Sequence, residues 1–565
     1  MVTSNEQRPV ILLREGTNRS RNKEAQATNI LAAKLVVDAV STTLGPRGMD
    51  KMLVDSMGDM LITNDGVTIL KEMDVQHPIA QILVNVAKTQ DSECGDGTTT
   101  AVILSGSLLR EAEKLLEMNI HPTIIIDGYR AAELFLQTMY SEAILDPARL
   151  QHVPGFETRT KEQIEQQIRE HLAITTITGK YVSNLREPII RVVLQAFSFL
   201  DRNVPATEKI RIDDIQILKK SGKDISQSQT IDGVMIEKSR THLDMPVQVE
   251  DAKILCLNSA LETKKTEIEA KITIDDPSKI QMFLEQERRL LNRSLEQVRT
   301  SGATVVFCQK GIDDQIQEGL ARAGIFAVRR VKQTDLEKIA RTTGAKIVTS
   351  LEHLSSADLG FAKSIIEEKI SDEDIITVSG GRHPRVVSIL LRGSSSGVLD
   401  EVERCIHDAL KVLLIHRDRP AVVAGAGAFE MFLATRLREY ATQRIAGRQQ
   451  LAVEAFASAL ESIPRIIAEN SGMDGINTLI SLKNAQAVDD PLARFVGINP
   501  FEEKIQSVLE MSSLVIEPLQ VKTQAISSAT EVVSIILRID DVIAATRTSA
   551  GPGPGGPQGM PPGMM

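Results

Sequence analysis

The stretch Gly95-Asp96-Gly97-Thr98-Thr99-Thr100 interrupts a helical pattern that otherwise runs from Pro78 to Met139. Its two glycines allow positive φ and let the backbone come close to a ligand. The threonines open the next helix, whose first amides are unpaired and favour a bound phosphate. Asp96 offers a hard carboxylate oxygen of the kind that holds Mg²⁺ beside phosphates. The residues alone leave two interpretations open, a phosphate-binding loop or a turn capped by threonines.

The composition is that of a large globular protein. The chain has 565 residues, which at roughly 150 residues per domain predicts three or four domains. Acidic residues outnumber basic ones by 75 to 65, so the net charge is −10 and we expect neither a nucleic-acid nor a membrane partner. No apolar run reaches the ~18 residues of a membrane helix. Four cysteines without a CxxC pair suit a reducing compartment, so a cytoplasmic location is expected.

Helical segments flank an α/β middle. Residues 25–145 and 386–545 are mostly helical in pattern, and Leu44-Gly45-Pro46 ends the first helix. Residues 245–350 alternate short β-rich runs with helices, which indicates an α/β unit. This order predicts that the middle is inserted into one helical domain formed by both ends of the chain.

Three further segments have distinctive compositions. Residues 15–24 and the Gly/Pro/Met-rich residues 549–565 are predicted to be disordered, because neither has the apolar content of a packed element. Within the α/β middle, a long charged helix is predicted from Pro277 to about Thr300. The residues leave open whether it belongs to a surface hairpin or to an arm that docks on another subunit.

Several shorter motifs could carry chemistry or plain structure. Asn64-Asp65-Gly66, between two apolar runs, predicts a type I′ hairpin turn. Asp408 has an arginine at i−4 and a lysine at i+3 of a predicted helix, which indicates an exposed charged face. Thr178-Gly179-Lys180 and Gly425-Ala426-Gly427 each fit a phosphate-contacting loop or a simple turn. The chain lacks GxxxxGK[ST] and is therefore not a P-loop NTPase.

In chain order, these segments resemble the group II chaperonins, the family of archaeal thermosome subunits and the eukaryotic cytosolic chaperonin. The similarity begins with TLGPRGMDKML at Thr43–Leu53 and covers nearly the whole chain. It continues through Thr63–Gly66, Gly95–Thr99, Thr178–Lys180, Ala260–Glu267, Ala327–Val331, Leu390–Gly393, Leu399–Arg404, His407–Leu410, Gln450–Phe456 and Glu517–Lys522. The tail rich in glycine and methionine is most similar to that of archaeal thermosome subunits.

The resemblance implies a multidomain α+β chaperonin fold. It comprises a mostly helical equatorial domain that binds ATP, a small intermediate hinge domain, and an α/β apical domain that binds substrate and bears a helical protrusion. The implied limits are 1–152 and 406–548 for the equatorial domain, 153–221 and 373–405 for the intermediate domain, 222–372 for the apical domain with its lid protrusion at about 259–300, and 549–565 for the disordered tail.

The resemblance also implies an ATP-dependent molecular chaperone, an ATPase that uses ATP and Mg²⁺. Closure of a double-ring chamber with a built-in lid would enclose non-native polypeptides, keep them from aggregating and assist their folding. Identical or paralogous subunits would form stacked eight-membered rings, a closed symmetric assembly of about 1 MDa.

The resemblance assigns chemical roles to three carboxylates far apart in the chain. Asp65 and Asp408 would position and activate the attacking water, and Asp96 would hold Mg²⁺. A free aspartate has a pKa of ~4 and is a weak base at pH 7, so orienting the water would be the main task of the first two.

The other implied site residues contact the nucleotide. They are Gly97, Thr98, Thr99 and Thr100 around the phosphates, Leu44 and Gly45 beside the nucleotide, Thr178, Gly179 and Lys180 at the γ-phosphate, and Gly425 and Gly427 on the adenosine side.

Two departures from the family pattern concern the sugar contacts. Ala426 stands where the family has the second of three glycines, and Ser507 stands about where an acidic residue before a methionine contacts the ribose. They motivate an alternative function, a nucleotide-binding but weakly hydrolysing structural paralogue in a hetero-oligomeric ring. A third hypothesis, a metabolic ATP-using enzyme, would need a polar or metal-binding constellation at residues 250–350, and the sequence pattern shows none there.

Overall fold

The structure, a computed structural model, describes residues 18–54, 57–58, 60–73, 75–146, 159–180, 185–262, 277–511 and 514–544. The predicted tail at 549–565 and residues 263–276 of the predicted protrusion lie outside the described residues. The helices are α1 Asn22–Ser41, α2 Gly66–Glu72, α3 Pro78–Cys94, α4 Thr98–Glu117, α5 Pro122–Ala143, α6 Lys161–Ile177, α7 Arg186–Asn203, α8 Pro277–Ser301, α9 Asp314–Arg322, α10 Gln333–Thr343, α11 Ser396–Asp418, α12 Ala428–Arg444, α13 Arg448–Leu460, α14 Ser462–Asn470, α15 Gly475–Gln486 and α16 Leu519–Leu537.

The strands form one large mixed sheet and several small sheets. They are β1 Asn18–Arg21, β2 Lys51–Val54, β3 Met60–Thr63, β4 Ile215–Ser221, β5 Gln229–Asp232, β6 Val234–Ile236, β7 Gln248–Leu257, β8 Val305–Cys308, β9 Phe326–Val328, β10 Ile347–Val348, β11 Gly360–Ile370, β12 Glu373–Gly381, β13 Val387–Gly393, β14 Val422–Ala424, β15 Val496–Asn499, β16 Lys504–Ser507, β17 Ile516–Pro518 and β18 Asp541–Ala544. The large sheet has the order β6-β12-β11-β7-β8-β9, with β10 beside β7. The small sheets are β4-β13-β5, β1-β18, β2-β3, β14-β17 and β15-β16.

The helical body is built from both halves of the chain. Helices α1, α3, α4 and α5 pack with α12, α13, α14 and α16 around one apolar core. The apolar residues at helical spacing in α1, namely Ile30, Ala33, Val37 and Val40, are all buried in this core. The helices on both sides of the loop at residues 95–97, α3 and α4, are therefore anchored in this core.

The two ends of the chain meet at the edge of the helical body. β1 pairs antiparallel with β18, from Asn18 opposite Ala544 to Arg21 opposite Asp541. The disorder predicted for residues 15–24 is therefore wrong for 18–24, which form β1 and the first turn of α1. The ladder hydrogen bonds come from a strand at the far end of the chain, which the local composition could not indicate.

The hinge body consists of α6, α7 and α11 packed on the β4-β13-β5 sheet. Within that sheet β4 runs parallel to β13, and β5 runs antiparallel to it. Leu399, Val402, Ile406 and Leu413 place the apolar side of α11 in the core of this body. Along the chain the hinge body lies between the helical body and the α/β body on both passes.

The α/β body is the large sheet covered on both faces by helices. Alternate residues of β7 point to opposite cores, Ile254 and Cys256 towards α10, Leu255 and Leu257 towards α8 and α9. The β-rich runs predicted in this region are confirmed as β7, β8, β9 and β10. The long helix predicted from Pro277 is confirmed as α8. Among all described helices, none combines the length and the apolar content needed to cross a membrane.

Candidate active site

One cavity of about 610 Å³ lies where the helical body meets the hinge body. Its volume is in the range of small-molecule sites, roughly 300–1,000 Å³. Every predicted site residue except Gly425 lines it. Asp65, Asp96 and Asp408, which are far apart in the chain, thus all line the same cavity.

The loop at residues 95–97 leaves the start of α4 open towards the cavity. Gly95 and Gly97 have φ of +69° and +76°, in the left-handed region that favours glycine. Gly97 is the N-cap of α4 and supplies no side-chain cap to the helix. The first amides of α4, at Thr98, Thr99 and Thr100, are thus available to an anion.

Asp96 is fixed by its backbone as well as by its side chain. Its Oδ1 accepts a hydrogen bond from the Gly97 amide at 2.7 Å. The side chain of Gln90, completely buried in α3, donates to the Asp96 carbonyl at 2.9 Å and to the Val521 carbonyl at 3.1 Å. Gln90 therefore ties the loop to the first turn of α16, a contact that the sequence did not predict.

Asp65 begins a helix instead of turning a hairpin, so the type I′ turn predicted at Asn64-Asp65-Gly66 is wrong. The hairpin strands are β2 and β3, and α2 follows at Gly66. Asp65 Oδ2 accepts from the Thr68 amide at 3.1 Å and from the Thr68 hydroxyl at 2.6 Å. Its Oδ1 accepts a longer bond, 3.4 Å, from the hydroxyl of Thr98. The N-cap geometry holds the Asp65 carboxylate beside the start of α4.

Asp408 is largely shielded from solvent, so the exposed charged face predicted for this part of α11 is wrong. The carboxylate of Asp408 forms an ion pair with Lys180, and each side chain is 14% exposed. Burial raises the pKa of Asp408 to about 7, although Lys180 opposes the shift. Burial lowers the pKa of Lys180, but the carboxylates of Asp408, Asp96 and Asp65 outweigh it, so the net shift is upward.

The loops that contain Gly45 and Gly179 lie directly on each other. Gly45 has φ +91°, and a side chain on Gly179 would come within 2.8 Å of the Gly45 carbonyl oxygen. The Asn64 side chain donates to the Gly179 carbonyl. Asn470 closes the other side by donating to the Leu44 carbonyl at 2.8 Å. The predicted residues Leu44, Gly45, Thr178, Gly179 and Lys180 thus form one continuous wall of the cavity.

The wall opposite the phosphate loop differs in part from the prediction. Gly427 and Ala426 line the cavity, whereas Gly425 lies behind them and donates its amide to the Val515 carbonyl at 2.9 Å. Ala426 adopts φ +55°, which is strained for an alanine. Its methyl group is accommodated because Gly497, directly opposite, has no side chain.

Ser507, which the resemblance places about where an acidic residue contacts the ribose, does not line the cavity. It lies at the end of β16, which pairs with β15. Asn499, Phe501 and Met511 line the cavity in this region. The sequence does contain a signal for this part of the wall, the pair Glu510-Met511, which also puts an acidic residue before a methionine.

Three charged residues of the cavity wall, Arg186, Glu517 and Lys522, were not among the predicted site residues. Glu517 and Lys522 form an ion pair at 2.7 Å, and Lys522 also contacts Glu430 at 2.9 Å. Burial raises the pKa of Glu517, although Lys522 opposes the shift. Glu517–Lys522 is one of the segments that resemble the family. Only the fold shows that the charged residues at its two ends line the cavity.

A second cleft, of about 810 Å³, lies at the carboxyl end of α10 and is lined mainly by basic side chains. Carboxylates partner three of its cations: Arg341 with Asp214 at 2.7 Å, Arg385 with Glu208 at 2.9 Å and Lys346 with Asp358 at 3.0 Å. These pairs leave the open cleft with little uncompensated charge.

Comparison with known proteins gives one consistent result. The model of the TCP-1/cpn60 chaperonin family matches residues 36–547. The chain is 47% identical over 554 residues to thermosome subunit beta of Archaeoglobus fulgidus, covering 98% of each chain. It is 47% identical over 560 residues to thermosome subunit beta of Methanothermobacter thermautotrophicus, covering 98% of this chain and 99% of that one. Identity to thermosome subunit alpha of Thermoplasma acidophilum is 46% over 558 residues, 99% of this chain and 98% of the other.

Proposed function

The chain belongs to the TCP-1/cpn60 chaperonin family, and on that premise we propose that this ATP-dependent chaperone subunit hydrolyses ATP in the cavity between its helical and hinge bodies. The observation that carries the proposal is the presence of Asp65, Asp96 and Asp408 in one cavity beside the open start of α4. Membership of this family leaves the metabolic-enzyme hypothesis without support.

The residues of the cavity fit a magnesium–triphosphate. The amides at the start of α4 suit phosphate oxygens, and Asp96 suits a Mg²⁺ ion that takes its other ligands from phosphates and water. Within the described ranges no three His, Cys, Asp or Glu side chains form a metal site of their own. Mg²⁺ would therefore depend on the nucleotide for binding. When bound, it would neutralise charge that develops on the phosphates during transfer.

Asp65 and Asp408 act on the attacking water from two different bodies. Asp65 is held rigidly by Thr68 and Thr98 in the helical body. Asp408 comes from α11 in the hinge body, and its raised pKa makes it a better proton acceptor near neutral pH than an ordinary aspartate. Water activation therefore requires that the two bodies be closed on each other, so hydrolysis is gated by the hinge.

Lys180 links the state of the nucleotide to the hinge. Here it pairs with Asp408 in a cavity whose other wall holds Asp65 and Asp96. A γ-phosphate in the cavity would attract the ammonium group, and its loss on hydrolysis would release it. Differential binding of this kind shifts the population between open and closed subunits, and in a ring it would open and close the chamber around a non-native polypeptide.

Replacing Asp408 tests the proposal. Asp408→Ala should bind ATP with nearly normal affinity but hydrolyse it at least ~10²-fold more slowly, the low end for loss of a positioned base. Asp400→Ala is the matched control, because Asp400 lies on the same helix in a surface ion pair with Lys219. Steady-state ATPase assays and nucleotide titrations of the assembled protein separate the two effects. Unchanged turnover in Asp408→Ala would remove Asp408 from the mechanism.

A second candidate function is a subunit that binds nucleotide and hydrolyses it weakly within a mixed ring. The strained Ala426 in the cavity wall favours it. The ATPase rate of the chain expressed alone, compared with Ala426→Gly and with mixtures containing paralogous subunits, distinguishes the candidates. Brisk hydrolysis by the chain alone eliminates this second function.

Ring assembly is supported by the hairpin of β2 and β3. Met52 pairs with Ile62, and Val54 pairs with Met60, so all four apolar side chains lie on one face. They are 43–71% exposed. A lone two-stranded hairpin with such a face is marginal in water and marks a protein contact. We infer that this face packs on a second copy of the chain or a paralogue, in the eight-membered rings that the resemblance implies. We also infer the domain limits that the resemblance implies, except at residue 406, because α11 packs as a whole on the hinge body and carries Asp408 there.

A further inference from the structure

Helix α11 contacts the helical body on both sides of Asp408. Arg404, Asp408 and Lys411 follow one another at spacings of four and three residues, which places them on one face of the helix. The opposite side of α11 is buried in the core of the hinge body. The position of Asp408 relative to Asp65 and Asp96 thus depends on how this one face meets the helical body.

Arg404 reaches the segment that carries Asp65. Its guanidinium donates to the hydroxyl of Thr63 at 3.2 Å. The same hydroxyl accepts the backbone amide of Asp65 at 3.2 Å. Arg404 also pairs with the buried Glu401 at 2.8 Å, which fixes the guanidinium on α11. The Thr63 hydroxyl therefore links Arg404 of α11 to the backbone of Asp65 through two hydrogen bonds.

Lys411 reaches the segment that carries Asp96. Its ammonium donates to the Asp91 carbonyl at 2.8 Å and lies 3.1 Å from the Asp91 carboxylate. Its aliphatic stem lies so close to Gly95 that a Cβ on that glycine would come within 2.4 Å of it. Lys411 thus packs on the residue that directly precedes the predicted metal ligand.

We propose that Arg404 and Lys411 are positioning residues that hold Asp408 over the nucleotide, one by contact with the Asp65 segment and the other by contact with the Asp96 segment. The inference rests on the proposed hydrolysis of ATP. Both side chains are partly exposed, 28% for Arg404 and 24% for Lys411. Ion pairs and hydrogen bonds at such exposure are weak enough to break and re-form at low cost, as a hinge requires.

Kinetics of the assembled protein test the proposal. Lys411→Met and Arg404→Met should each lower kcat about tenfold while KM and ATP affinity stay within about twofold, because misplacement of a catalytic group affects the chemical step. Arg404→Lys, which keeps a donor and a charge beside the buried Glu401, should recover most of the loss. Lys219→Met is the control, because Lys219 contacts the same helix through Asp400 at 2.5 Å and Glu403 at 2.8 Å but not the helical body.

The Asp408→Ala background decides whether the two cations act through Asp408. There Lys411→Met should have no further effect on the residual rate, since the group that it positions is gone. A further loss in that background, or an equal loss of kcat in Lys219→Met, would overturn the proposal.

Hydrogen exchange gives a readout that does not depend on hydrolysis. Arg404→Met should speed amide exchange at residues 63–67, and Lys411→Met at residues 91–98, while Lys219→Met should change neither. Unchanged exchange in both segments would overturn the positioning role. If the exchange effects appear but the protein has no ATPase activity, the proposed function is contradicted. The contacts of Arg404 and Lys411 with the Asp65 and Asp96 segments would still be established.

Discussion

At the residue scale, the main surprise is the environment of Asp408. Sequence spacing put it between two cations and so indicated a solvated helix face. The fold instead packs that face against the helical body, pairs Asp408 with Lys180 and raises the pKa of Asp408 to about 7. The partners of Asp408 come from distant parts of the chain, so no local pattern could reveal its burial. Asp408 is therefore a stronger base near pH 7 than the free aspartate that the sequence analysis assumed.

The raised pKa predicts an acid limb in the pH profile. The active form of Asp408 is the carboxylate, which is lost as the pH falls through about 7 instead of through the ordinary range of an aspartate. Because kcat/KM reports groups of the free enzyme, it should fall about tenfold for each pH unit well below 7. ATP binding measured over the same range separates loss of catalysis from loss of affinity. A flat profile down to pH 5 would contradict this assignment.

At the element scale, the periodicity of apolar residues predicted helices and strands well, but polar motifs were less informative. The helix face at Ile30–Val40 and the strands of the α/β body follow directly from apolar spacing. Asn64-Asp65-Gly66, by contrast, fits a hairpin turn and an N-cap equally well in sequence. The β2–β3 pairing places the turn earlier in the chain, so the same three residues begin α2. Tertiary pairing, not local propensity, decided between them.

Three elements behind the cavity are joined by one buried cation. Lys522 of α16 contacts Glu430 of α12 and Glu517 of β17. Lys522→Met would leave the buried Glu430 and the largely shielded Glu517 without a counter-charge, which costs about 3–5 kcal/mol. The thermal midpoint at pH 7.5 should therefore drop by several degrees.

Two comparisons test this explanation. Lys219→Met removes a more exposed ion pair and should cost less than about 1 kcal/mol. Because burial raises the pKa of Glu517, a falling pH should protonate it before an ordinary glutamate and so reduce the loss in Lys522→Met. A loss no larger than that of Lys219→Met, or one that grows as the pH falls, would contradict the account.

At the scale of the whole molecule, the order of helical and α/β segments predicted an inserted middle, and β1 and β18 show how the ends meet. The resemblance added what periodicity could not, namely that residues near 65, 96, 180 and 408 belong to one site. Gly425 and Ser507 are the positions at which the resemblance did not correctly predict a place in the cavity wall. Both stand in segments where this chain departs from the family pattern, so position along the chain did not translate into a place in the cavity wall.

The exposed face of the β2–β3 hairpin predicts how copies associate. Met52→Asp and Met60→Glu should each convert a particle of about 1 MDa into species near the mass of one 61.9 kDa chain, because a charge would be buried in the contact. Leu243→Asp, at an 85% exposed position of the α/β body, is the control and should leave the particle intact. Native mass spectrometry reads the outcome. A full-size particle in both hairpin variants would exclude the hairpin as the contact.

A structure of the assembled full-length protein with Mg²⁺ and a non-hydrolysable ATP analogue tests the central claim most directly. We expect the terminal phosphates at the amides of Thr98–Thr100, the metal ion on Asp96, and Asp65 and Asp408 both facing the γ-phosphate across a single water. A nucleotide bound elsewhere, or an Asp408 carboxylate too distant for one water to bridge it to the γ-phosphate in the closed subunit, would contradict the account.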